Sequence, residues 1–146
     1  MENEIEIIKS IDGPWMKSTF FPPAHDDLIS DFENKNKLNI PSSYKEFLKI
    51  TNGAKLFGGD VFFYGVGSNK PDESIEFNIN YDFSEGRVPN QLLIIGFYNS
   101  SHICYDKRSD SYILYEYEEF DEIEDECCSY SKLEDLLNYM IDIATN

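Results

Sequence analysis

Histidine, cysteine and tryptophan are scarce in this 146-residue sequence, and basic side chains are heavily outnumbered. The cysteines Cys104, Cys127 and Cys128 form no C-x-x-C spacing, so a zinc site has no ligand set and no metal is expected. No D-x-[DN]-x-[DN]-G run is present, which removes the calcium loop. There is no G-x-x-x-x-G-K-[ST] run either. Gly65-Val66-Gly67 follows a candidate strand, but Lys70 stands where a dinucleotide fingerprint needs its third glycine. No cofactor is therefore expected. Long apolar runs are missing too: Leu92–Tyr98 is interrupted by Gly96 and falls far short of the ~20 residues that cross a bilayer. Met1–Lys9 carries three glutamates and no apolar core of a signal peptide. The expectation is a cytoplasmic protein whose cysteines are thiols.

Acid is what the sequence has in excess. Twenty-eight Asp and Glu against twelve Lys and Arg give a formal charge of −16. The imbalance is concentrated at the end. Ser109–Asn146 contains twelve acids and one base, Lys132. Eight acids fall within eleven residues: Glu116, Glu118, Glu119, Asp121, Glu122, Glu124, Asp125 and Glu126. A field of this sign repels phosphate, which argues against nucleic acid and against anionic membranes as partners. It attracts a basic protein surface and speeds the encounter with it. The same run also reads as a merely solvated face or loop.

The pattern of apolar residues predicts an α+β domain spanning residues 1–146. Ile5, Ile8 and Ile11 mark a short helix over Glu4–Ile11, ended by Asp12-Gly13-Pro14. Phe20-Phe21-Pro22-Pro23 is an extended connection. Ala24–Lys37 is a second helix, with Leu28, Ile29 and Phe32 facing inward. Ser43 and Glu46 form a capping box for a third, in which Tyr44, Phe47, Leu48 and Thr51 share one face, and Asn52-Gly53 supplies the stop. The period then becomes extended. Strands are predicted at Asp60–Val66, Ile75–Ile79, Leu92–Tyr98, His102–Asp106 and Tyr112–Tyr117, the last three joined by short turns as an antiparallel meander. A final helix begins at a second capping box, Ser131 and Glu134, with Leu133, Leu136, Leu137, Met140 and Ala144 on one stripe. The architecture is a central antiparallel sheet with N-terminal helices and a C-terminal helix packed on it.

Catalytic chemistry has thin support. His102 and Cys104 alternate onto one strand face and are the candidate base and nucleophile, but no third group is seen to orient them. Cys127-Cys128 reads as a strand residue and its neighbour. No catalytic residue is assigned.

Ile40-Pro41-Ser42-Ser43-Tyr44-Lys45-Glu46-Phe47-Leu48, followed by Thr51-Asn52-Gly53, resembles the signature of the SUKH superfamily. Val88-Pro89-Asn90-Gln91 and the run Leu92–Gly96 resemble its second motif, and HICYD with the terminal helix follows in the same order. The fold-motif residues are thus Pro41, Tyr44, Phe47, Leu48, Asn52, Gly53, Pro89 and Gly96. The resemblance implies an α+β fold without shared catalytic residues. Bacterial members are similar to immunity proteins that neutralise polymorphic toxins; an SMI/KNR-type branch acts as a signalling scaffold. The expected partner is a cognate toxin with a basic surface, met by the acids of Glu116–Glu126 and by Tyr115 or Tyr117 as exposed aromatic anchors. A regulatory scaffold and a small His102/Cys104 enzyme are the alternatives.

Overall fold

The computed structural model describes residues 1–11, 13–67, 74–76, 91–99, 101–116 and 129–146. The described residues form four helices and a seven-stranded antiparallel sheet whose strands lie side by side in chain order. The helices are α1 (Glu2–Ser10), α2 (Asp26–Asn36), α3 (Ser42–Ile50) and α4 (Leu133–Thr145). The strands are β1 (Thr19–Phe20), β2 (Ala54–Leu56), β3 (Val61–Phe63), β4 (Leu92–Tyr98), β5 (Ser101–Asp106), β6 (Ser111–Glu116) and β7 (Ser129–Tyr130). The α+β class and the meander of β4, β5 and β6 are as the sequence predicts. Short turns leave successive strands no alternative to antiparallel pairing.

Register sorts the sheet into two faces. Phe63, Ile103 and Tyr112 share the face on which α3 lies. Phe47 of α3 sits 5.3 Å, centroid to centroid, from Phe63, and Ser43 hydrogen-bonds Tyr112 through their hydroxyls. Tyr130 of β7 packs against Tyr139 of α4 on the same side. α4 buries Leu133, Leu136, Leu137, Met140 and Ile141. Burial of an aliphatic side chain of this size stabilises by roughly 1.5–3 kcal/mol, so this stripe alone secures the helix. Ile5 and Ile8 of α1 pack into the same core, and the Met1 ammonium bridges Glu4 at 2.9 Å and Glu134 of α4 at 3.7 Å.

Several local expectations are corrected. Neither capping box forms. α3 starts two residues early, after Pro41 as N-cap, and the Ser43 hydroxyl is engaged by Tyr112 instead of by its own helix. α4 is capped by Lys132 without a side-chain bond, and Glu134 faces the Met1 ammonium. Leu28 points outward and is 37% exposed, while Ile29 and Phe32 carry the buried face of α2. The strand expected over Asp60–Val66 shrinks to Val61–Phe63. Beyond it, Tyr64 donates its N–H to the Ile95 carbonyl at 2.7 Å, where β4 carries a bulge, and Asn52 takes over the backbone of Val66. Ile75 and Glu76 are helical, so no strand begins there; 77–79 lie outside the described residues.

Candidate functional site

The motif residues converge on the junction between α3 and the sheet. Tyr44 is fully buried, and its hydroxyl donates toward the carbonyls of Tyr64 at 2.5 Å and Ile95 at 3.2 Å. Phe47 stacks on it at 5.3 Å. Leu48 is buried, and its carbonyl receives the Ala24 N–H at 2.8 Å. Asn52 behaves like a missing strand. Its side chain accepts from Val66 N–H at 2.8 Å and donates to the Val66 carbonyl at 3.0 Å. Gly53, at φ +91°, sits two residues past the extended helix cap Thr51 and turns the chain into β2. A Cβ there would come within 2.8 Å of the Phe63 carbonyl. At Gly96 a Cβ would collide with the Phe62 carbonyl. Pro89 lies outside the described residues. The described motif residues therefore set backbone geometry.

Burial raises the pKa of the tyrosines in this region. Tyr44 is held well above the ordinary phenol value by desolvation. Tyr112 is pushed up to about 12, first by desolvation and against the bond to Ser43. Tyr105 also rises to about 12, mainly because its hydroxyl donates to Asp110 at 2.6 Å and that proton is held.

His102 and Cys104 do share a face of β5, and both are buried. His102 meets the ring of Phe97 edge-on at 6.0 Å. The nearby buried carboxylate, Asp106, accepts from the Arg108 N–H at 2.9 Å and so closes the β5–β6 turn. Pair and carboxylate are buried in the sheet. Among the described residues, no group of three His, Cys, Asp or Glu side chains is placed to hold a metal ion.

Tyr115 is corrected outright. It pairs with His102, shares the face of Ile113 and Cys104, and is 4% exposed, so it is no surface anchor. Glu116 ends β6. Tyr117, Glu118, Glu119, Asp121, Glu122, Glu124, Asp125 and Glu126 lie outside the described residues.

The aromatic that does stand in solvent is Trp15, 83% exposed. It sits in a turn closed by the Met16 N–H on the Gly13 carbonyl at 3.2 Å, with Pro14 at the position whose φ proline pre-sets. Beside it opens a largely apolar cavity of about 230 Å³, lined in part by Met16, Phe57, Tyr98, Met140 and Ile143. Periodicity could not reveal this residue. The signal available was a lone tryptophan directly after Gly-Pro.

This fold and this motif define the class. Residues 23–138 match the SMI1 / KNR4 family (SUKH-1), and the chain belongs to that family. It is similar to the uncharacterized protein YnaB of Bacillus subtilis (strain 168), with 34% identity over 110 residues, 73% of this chain and 68% of the relative. It also superimposes on a crystal structure of a protein from Pseudomonas syringae pv. tomato. The TM-score is 0.68 at 17% identity over the whole of both chains, a likeness of fold alone. Among the described residues, no helix is long and apolar enough to cross a membrane.

Proposed function

We propose that the chain is a cytoplasmic immunity protein that binds a cognate toxin domain and neutralises it by occupying its working surface, without catalysis. Membership of the SMI1 / KNR4 family over residues 23–138 carries this reading. The net charge of −16 supports a basic partner, such as a nuclease domain whose groove normally holds phosphate. In that reading the carboxylates of Glu116–Glu126 stand in for phosphates and accelerate association.

The test is co-expression with a candidate toxin domain sought in the genes neighbouring this one. Protection from killing and a complex on gel filtration are expected; neither appearing would sink the reading. The role of the acids is tested separately. Changing Glu118, Glu119, Glu122 and Glu124 together to Lys should slow association by roughly tenfold or more at low salt and flatten its salt dependence. Unchanged kinetics would leave the run a solvated segment.

A further inference from the structure

Trp15 combines an exposed ring with an immobilised backbone. Besides its own turn, the segment is clamped by the 3-10 turn Phe57–Gly59. Gly58 donates its N–H to the Lys17 carbonyl at 2.9 Å, and Phe57 donates to the Ser18 hydroxyl at 3.1 Å. Gly58, at φ +71°, lies so close to the Trp15 carbonyl that any Cβ would collide with it. Phe57 itself takes φ +54°, a conformation that side-chain-bearing residues rarely adopt. The chain thus tolerates an unfavourable turn that fixes a tryptophan it does not bury.

Met16 and Phe57, the neighbours of these two anchor points, line the 230 Å³ cavity, and Ile143 on its rim is 53% exposed. One wall carries the carboxylate of Asp60, which is exposed. An exposed indole on a fixed backbone, next in sequence to Met16 that lines an apolar hollow, has the makings of the energetic centre of a protein interface. Tryptophan leads such sites, and pre-organisation lowers the entropic cost of ordering it.

We propose that Trp15 and this cavity form the anchoring surface for the toxin. They would take a partner segment that inserts one aliphatic or aromatic side chain and places an arginine or lysine beside it. The apolar side chain fills the hollow, while the cation lies against the indole face and pairs with Asp60. Charge selects this occupant over a second copy of the chain, because two molecules at −16 each repel. The inference rests on the immunity reading and adds an anchor site to it.

Trp15 is the only tryptophan in the sequence, so the tryptophan fluorescence of this protein comes from this surface, with any partner tryptophans first replaced by Phe. The probe is the same candidate toxin domain, inactivated in its own active site and titrated into the intact protein. Wild type should bind with a blue-shifted emission and with protection from acrylamide quenching. Trp15→Ala should bind roughly thirtyfold or more weakly, and Ile143→Ser and Asp60→Lys each at least about threefold, with unchanged circular dichroism. If wild type forms the complex while Trp15→Ala binds within twofold and the emission does not move, the anchor is refuted and the immunity reading stands. If wild type forms no complex, both fall. A blue shift of the protein alone on concentration, with dimers in sedimentation, would assign the surface to self-association and overturn the proposal.

Discussion

Replacing Tyr44 by Phe removes a single oxygen from the centre of the motif and nothing from its shape. The ring keeps its stacking on Phe47. What disappears is the donor shared by the carbonyls of Tyr64 and Ile95. The Ile95 carbonyl still receives the Tyr64 N–H at 2.7 Å, so the loss falls mainly on the Tyr64 carbonyl. Removing a buried hydroxyl donor from such an acceptor costs about 1–3 kcal/mol. With an unfolding slope of about 2 kcal/mol per molar urea, the midpoint should fall by roughly 0.5–1.5 M with the slope unchanged. Far-UV circular dichroism is the proper readout, since Trp15 is already in solvent when the protein is folded. Partner affinity measured well below the new midpoint should remain within twofold. A midpoint within ~0.2 M of wild type would refute the assignment of this hydroxyl as the tie between α3 and the sheet. A large affinity loss in the folded variant would refute the separation of motif from binding surface.

Gly96→Ala drives a methyl against the Phe62 carbonyl in the middle of the sheet and should cost about 2 kcal/mol or more, seen as a lowered urea midpoint. An unaffected midpoint would mean that the β3–β4 pairing can shift to make room. Tyr112 has its folded pKa raised from 10.0 to about 12, so its neutral form belongs to the folded state. Its contribution to stability should be flat below pH 10 and fall as pH rises from there toward 12, by up to roughly 3 kcal/mol. Phenolate absorbance against pH should show late-titrating tyrosines whose ionisation coincides with unfolding, and Tyr112→Phe should shift the alkaline unfolding midpoint upward.

The parts of the fold that were legible in the sequence are those with strong local signals. β4, β5 and β6 lie where continuous apolar runs are broken by Asn99-Ser100-Ser101 and by Lys107-Arg108-Ser109-Asp110. β1 and β2 span two or three residues, too few for any periodicity, and exist because a neighbouring strand pairs with them. The capping boxes failed for the same class of reason: a tertiary partner, Tyr112 or the Met1 ammonium, outbid the local one. Tyr115 was misplaced although alternation from Ile113 already put it on the inner side of β6. Trp15 was passed over because exposure of a ring on a fixed turn leaves no pattern in the neighbouring residues.

The ends of the sheet bear on how a partner can attach. At the β1 end, where the flanking residues are described on both sides, the edge strand is two residues long. An edge that brief offers a visiting strand hardly more than one pair of main-chain hydrogen bonds, which guards against sheet-to-sheet stacking between copies. It also withholds the sequence-indifferent adhesion that main-chain pairing provides. A contact made at this edge would therefore have to be spelled out in side chains.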